Sequence, residues 1–255
     1  MIEIRDLGHA IGGQRVLGPL TLALPRGGVT AIIGPNGAGK STLLGLIARL
    51  QPLQRGTIAV DGLAVAATPS RRLALKLAIV TQQLGVASRI RVADLVAFGR
   101  WPHHRGRAGE SDRRAVAEAL AAFDLEDLRQ RFLDQLSGGQ RQRAYVAMAF
   151  AQGTDWLLLD EPLNNLDMAH ARGLMARLHA MSRPQAAAPR SVVLVVHEIN
   201  YAAAWADHVV GLKEGRVAFA GPPQEVLTGP LLSALYGMEI RVAALEGRRL
   251  VLHYA

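Results

Sequence analysis

Eight residues near the start of the chain, Gly34-Pro35-Asn36-Gly37-Ala38-Gly39-Lys40-Ser41, have the types and spacing of a polyphosphate cradle. In the pattern G-x-x-x-x-G-K-[ST], glycines let backbone amides approach phosphate oxygens with no Cβ in the way, and the helix that follows adds the partial positive charge of its N-terminus. Lys40 is placed to reach the β- and γ-phosphates, the Ser41 hydroxyl to take Mg²⁺, and Thr42 continues the motif into the helix. The chain has only three lysines, so a chance assembly of this pattern around one of them is rare.

Two further stretches carry chemistry. Leu157-Leu158-Leu159-Asp160-Glu161-Pro162 ends an apolar run in adjacent carboxylates. Ionised groups at the end of a buried strand need a compensating cation, which assigns Asp160 to Mg²⁺. Glu161 points elsewhere, with the chemistry of a general base for an attacking water, a role worth roughly 10²- to 10⁴-fold in rate. Leu136-Ser137-Gly138-Gly139-Gln140 precedes a helical stretch. There Ser137 suits the cap, and Gly138 and Gly139 leave the first amides uncovered for a second anion contact.

The elements that must position these groups follow from pattern. Val29–Ile33 reads as a strand feeding the cradle, and Thr42–Leu50 as its helix. Short β-rich runs at Ile2–Arg5 and Thr21–Leu24, with a turn at Gly12-Gly13, form an antiparallel flap. Strands follow at Thr57–Asp61 and Leu77–Thr81. From about Leu84 the pattern turns helical, with helices over Arg91–Arg100, Glu110–Phe123 (capped by Ser111 or Asp112) and Leu125–Phe132. Strand returns at Trp156–Leu159, helix at Met168–Met181, and a wholly apolar strand of the buried parallel kind at Ser191–Val196. Strands at His208–Lys213 and Val217–Ala220, a helical stretch at Pro223–Gly237 and closing strands at Ile240–Leu245 and Arg249–His253 complete the chain. Strands interleaved with helices predict a parallel-sheet α/β core, with the helical stretch mounted on it as a subdomain. Every motif falls beyond a strand's carboxyl end or at a helix start, where such sheets bind ligands.

Composition narrows the classes. No apolar run reaches the 18 residues that crossing a bilayer needs, and no basic segment leads into an apolar one at Met1–Asp6, so a cytosolic location is expected. Cysteine is absent, which removes disulfides and thiolate metal sites. The net charge is +8, but the arginines are scattered in pairs such as Arg71-Arg72 and Arg248-Arg249, so no nucleic-acid partner is expected.

Taken in order, the phosphate loop Gly34–Ser41, Gln82 after a strand, Leu136–Gln140, Asp160-Glu161, Leu166-Asp167 and His197 after a strand resemble the nucleotide-binding subunit of an ATP-binding-cassette (ABC) transporter over essentially the full length. The resemblance implies an α/β fold: a P-loop NTPase, RecA-like core over residues 1–84 and 154–255, an N-terminal antiparallel β flap, and an inserted helical subdomain over 85–153. It implies ATP and Mg²⁺ as ligands, with Gln82 helping to hold the ion and linking the site to the insert. Ser137 and Gly139 would contact the γ-phosphate bound by a second copy, Asp167 would communicate across the pair, and His197 would contact the γ-phosphate beside Glu161. A homodimer is therefore expected, peripheral on the cytoplasmic face of a bacterial inner membrane. Its partners would be a separate permease, gripped through the helical subdomain and the Gln82 region, and indirectly a substrate-binding protein. The stretch Val92–His103 and the run Pro162-Leu163-Asn164-Asn165-Leu166-Asp167-Met168 resemble the branch importing ferric siderophores, haem and cobalamin, most of all its siderophore members. One departure stands out: where the family usually has an aromatic residue before the first glycine pair to stack on adenine, this chain has Ile11, with His9 two residues earlier.

Overall fold

The computed structural model describes residues 1–82, 89–104, 106–245 and 247–252. Strands β1 (Ile2–Ile11) and β2 (Gln14–Leu24) form a hairpin around Gly12-Gly13, both with positive φ, as a two-residue hairpin turn requires. The hairpin is longer than its β-rich runs because irregular register at Leu7 and His9 lets each strand bend and continue. Next come β3 (Val29–Ile33), α1 (Lys40–Ile47), β4 (Arg55–Val60), the short β5 (Leu63–Ala64), α2 (Ser70–Ala74) and β6 (Leu77–Val80). The antiparallel sheet has the order β2-β1-β4-β5, so the expected flap of β1 and β2 is extended by β4 and β5.

After β6 the described chain is helical: α3 (Val92–Phe98), α4 (Trp101–His104), α5 (Glu110–Ala122) and α6 (Gly138–Ala151). Strand β7 (Trp156–Asp160), α7 (Met168–Met181), β8 (Ser191–Val195), α8 (Ile199–Trp205), β9 (His208–Lys213), β10 (Arg216–Gly221), α9 (Pro223–Val226), α10 (Gly229–Tyr236) and the hairpin β11 (Arg241–Leu245) and β12 (Arg248–Leu252) follow. The central sheet runs β10-β9-β3-β8-β7-β6 and is parallel except for β10.

Every residue of β3, β7 and β8 is buried, so alternation along them does not separate inside from outside but assigns each side chain to one of two cores. Ile32, Leu158, Val193 and Val195 join Leu43, Leu44 and Ile47 of α1 and Ile2 and Ile4 of the flap. Ala31, Leu157, Leu159, Val192 and Leu194 face the other way, toward Val96, Phe123, Val146 and Leu174. The phosphate-loop helix is thus sandwiched between two sheets, while the long helices cover the opposite face.

The C-terminal end of α6 is fixed by basic side chains from three places. Arg100 Nη1 donates to Ala151 O at 2.9 Å, Arg190 Nη1 to Phe150 O at 2.8 Å, and His103 Nε2 lies 2.7 Å from Gln152 O. The two guanidiniums bring positive charge to the helix's orphan carbonyls there. Gln152 in turn donates to Ala74 O and Leu77 O, tying the end of α6 to β6.

The structure departs from expectation in several places. Leu125–Phe132 is not a helix. Asp124, at φ 53°, ends α5, and two short 3₁₀ turns follow at Glu126–Leu128 and Leu133–Gln135. The end of the segment is instead tied to a neighbouring one: Arg131 O accepts Val92 N–H and Leu133 N–H donates to Ile90 O, both at 3.0 Å. Neither Ser111 nor Asp112 occupies the cap of α5. Gly109 does, and Asp112 reaches back from the first turn to accept its N–H at 2.9 Å. That amide holds the Asp112 carboxyl below its ordinary range against the effect of burial, with help from Arg100. The stretch Pro223–Gly237 is two helices, the second capped by Thr228. The helix α8 and the short α2 and β5 had no periodicity long enough to announce them. The expected boundary at 84/85 and the strand end at His253 lie outside the described residues.

Candidate functional site

The loop from β3 to α1 is shaped by two glycines that no other residue replaces. Gly34 has φ +145°, and a Cβ there would sit 2.0 Å from Leu212 O of β9. Gly39, at φ +94°, would drive its Cβ to 2.5 Å from Leu17 Cδ2. Gly39 caps α1 without any side-chain hydrogen bond, so the first amides of that helix carry no side-chain competitor for an anion.

Lys40 is 5% exposed and folded back over this loop. Its ammonium donates to Gly34 O at 2.7 Å and Pro35 O at 2.8 Å. Burial lowers its pKa, opposed by the facing carboxylates of Glu161 and Asp160. Ser41 Oγ donates to Asp160 Oδ1 at 3.0 Å, which brings the two expected metal ligands together from α1 and β7. Burial, with a push from neighbouring Glu161, raises the Asp160 carboxyl above its ordinary pKa even though Ser41 and Lys40 favour the charged form.

Glu161 follows Asp160 but faces a different way, because its own backbone is left-handed at φ 51°. It is 9% exposed, and all its visible partners are nitrogen donors. Gln82 Nε2 donates to Oε2 at 2.7 Å, Asn164 Nδ2 donates to the same oxygen at 2.5 Å, and His197 Nε2 lies 2.6 Å from Oε1. Gln82 therefore turns its amide nitrogen to Glu161, leaving its carbonyl oxygen as the end able to meet a cation. Hard oxygen donors such as Ser41, Asp160 and the Gln82 carbonyl suit Mg²⁺, an ion that takes one or two protein ligands and completes its shell with water and phosphate. No cluster of three or more His, Cys, Asp or Glu able to hold a metal exists among the described residues.

Asn36, Gly37, Ala38, Gly39, Lys40, Ser41, Thr42, Gln82, Glu161 and His197 line one cavity of about 390 Å³. Ser137, Gly138, Gly139, Gln140 and Asp167 line another, of about 200 Å³. The sequence motifs thus fall into two groups that this chain does not unite. At the second cavity Ser137 Oγ accepts Gln140 N–H at 3.2 Å while Gln140 Oε1 accepts Ser137 N–H at 3.0 Å. This reciprocal cap leaves the amides of Gly138 and Gly139 outside it. Asp167 caps α7, accepting His170 N–H at 2.8 Å, and those His170 contacts hold its carboxyl below the ordinary range.

Sequence reasoning missed Asn164 as a partner of Glu161 and Val16 as a lining residue of the larger cavity. The first has a readable trace, an amide side chain three residues after a carboxylate, but its meaning depends on the left-handed turn at Glu161. Of the two residues considered for the base, His9 is 6% exposed, buried in the flap with Nδ1 unpartnered, and so offers no open ring face; Ile11 is exposed at the hairpin tip.

The chain is similar to known proteins along its whole length. A family model described as "ABC transporter" matches residues 17–164. The petrobactin import ATP-binding protein YclP of Bacillus subtilis (strain 168) is 40% identical over 255 residues, all of both chains. Among solved structures, an inward-facing metal-chelate type ABC transporter superposes with a TM-score of 0.83 at 26% identity, covering 99% of this chain and 98% of that one. A dimeric ATP-binding cassette in a post-hydrolysis state, bound to ADP and Pi, gives 0.78 at 26% identity over 88% of this chain and 99% of that one. With a P-loop between β3 and α1, a six-stranded core sheet and these relatives, the chain belongs to the ABC transporter family.

Proposed function

We propose that this chain is the ATP-hydrolysing subunit of a bacterial importer of ferric siderophores, acting as a pair of identical copies on the cytoplasmic face of the cell membrane. The observation that carries the reading is the division of one set of motifs between two cavities of one chain. Lys40 and the amides of Gly37–Thr42 take the triphosphate in one copy. Ser137, Gly138, Gly139 and Gln140 of the other copy approach the γ-phosphate from the far side, with Asp167 at the seam between them. ATP is then the charge that two helix N-termini share.

In the joined site, Glu161 accepts a proton from a water as the water oxygen attacks the γ-phosphorus and the bond to the β–γ bridging oxygen breaks, giving ADP and phosphate. Ser41, Asp160 and the Gln82 carbonyl would hold Mg²⁺, which when bound neutralises charge on the β- and γ-oxygens. His197 orients the Glu161 carboxylate and faces the γ-phosphate. Loss of the γ-phosphate removes the shared charge, the copies part, and the motion is delivered through the helical subdomain over residues 85–153 to a permease, with residues 1–84 and 154–255 as the nucleotide-binding core. No helix of the described residues is long and apolar enough to cross a membrane. The siderophore assignment is supported by the petrobactin importer subunit and the metal-chelate transporter among its relatives.

Two measurements test this. The ATPase rate per mole of protein should rise with protein concentration and approach zero in dilute solution, where light scattering finds monomer. Full turnover by demonstrated monomers would overturn the paired site. A strain lacking this chain should fail to grow on ferric siderophore as its iron source yet grow on ferrous salt. Unimpaired growth on every siderophore supplied would remove the substrate assignment while leaving the ATPase intact.

A further inference from the structure

We propose that Asn164 is a positioning residue for ATP hydrolysis, holding the Glu161 carboxylate in one plane by donating its side-chain amide to Oε2. The inference rests on the reading of Glu161 as the general base and adds a residue to that mechanism.

A carboxylate has two oxygens with two acceptor positions each. On Oε2 both positions are taken, by Gln82 Nε2 at 2.7 Å and Asn164 Nδ2 at 2.5 Å. On Oε1 one is taken, by His197. Among the described residues nothing takes the remaining acceptor position on Oε1, which is the one a water would meet. Two amide donors from different directions on one oxygen fix the carboxylate's rotation more firmly than one donor does, because rotation about the terminal torsion is otherwise broad and soft.

The position of Asn164 is itself over-determined. Its backbone N–H closes a turn onto Glu161 O at 3.2 Å, and that turn lies between two residues with positive φ, Glu161 at 51° and Asn165 at 63°. Asn165 is packed so closely on the start of α6 that a Cβ on Gly138 would lie 3.2 Å from Asn165 Cβ. The residue that follows Asn164 is thus packed against the helix start that would serve the opposite nucleotide in the paired site. Lys40, Asp160 and His197 also face Glu161, and none of them is altered by a change at 164.

The test compares two substitutions in the full-length protein by steady-state ATPase kinetics with Mg²⁺, alongside Glu161→Gln. Asn164→Leu removes the donor at similar size; kcat should fall about tenfold, the effect of one hydrogen bond to a charged group, with the KM for ATP within about twofold of the parent. Asn164→Asp keeps the shape but replaces the donor by a carboxylate aimed at Oε2, so its kcat should fall further than that of Asn164→Leu. A packing role predicts the reverse order, since Asp is the isostere, and that order would overturn the proposal. So would an unchanged kcat in both variants, or a loss confined to KM. If Glu161→Gln itself retains turnover, the reading of Glu161 has failed; if Glu161→Gln is inactive while both Asn164 variants turn over normally, only the role of Asn164 has.

Discussion

Glu161→Gln is expected to nearly abolish turnover while leaving ATP bound and the two copies locked together. The substitution preserves size and most contacts. Its carbonyl oxygen can take the place of Oε2 between Gln82 and Asn164, and its amide can face His197, whose ring nitrogen then accepts instead of donating. What is lost is the basicity needed to receive a proton from water, so kcat should drop by roughly 10²- to 10⁴-fold. Removing one negative charge beside Lys40 also leaves that ammonium more fully available to the triphosphate. In the proposed pair hydrolysis is what dissolves the shared contact, so the variant should elute from gel filtration as a dimer with ATP and Mg²⁺. Elution as monomer alone would contradict the role.

Lys40→Ala should eliminate nucleotide binding in a practical concentration range. Its ammonium is buried, and the loop is built around it, with two carbonyls 2.7 and 2.8 Å away accepting its hydrogens. The substitution strips donors from Gly34 O and Pro35 O and leaves phosphate charge unanswered. Lys40 is assigned one contact to the β- and one to the γ-phosphate; each hydrogen bond to a charged group is worth about 1.5–3 kcal/mol, so losing both weakens affinity by roughly a hundredfold or more. Lys40→Arg should not restore it, because a planar guanidinium does not fit where a compact ammonium sits between two carbonyls. Unchanged affinity in a fluorescence titration with a labelled ATP analogue would refute this account.

The parts of the molecule that were legible in the sequence are those whose cause is local. Val29–Ile33 and His208–Lys213 are strands with the expected bounds because a short β-branched apolar run between turn residues has few other homes. The cradle was legible because two of its glycines answer steric demands, Gly34 against Leu212 O and Gly39 against Leu17. The expected helix at Leu125–Phe132 failed for a non-local reason. Phe132 bridges to Arg91, and the guanidiniums of Arg89 and Arg91 lie over its ring at 4.8 and 5.6 Å, so packing across some forty residues of chain, not propensity, sets that segment. The meeting of Ser41 with Asp160 followed from their motifs. The meeting of Asn164 with Glu161 did not, since it turns on a left-handed residue that composition does not encode.

The order of strands in the central sheet has a consequence for synthesis. β3, which launches the phosphate loop, is flanked by β8 and β9, and Val29 is paired with Val192. A ribosome adding roughly 5–20 residues per second therefore exposes the triphosphate loop for roughly 8–30 seconds before either neighbour exists to hold it. Nascent chains interrupted before β8 should be unable to retain nucleotide however complete their glycine loop. During that interval the apolar Val29–Ile33 edge is open to other chains, which makes slow translation through the helical region a hazard for yield.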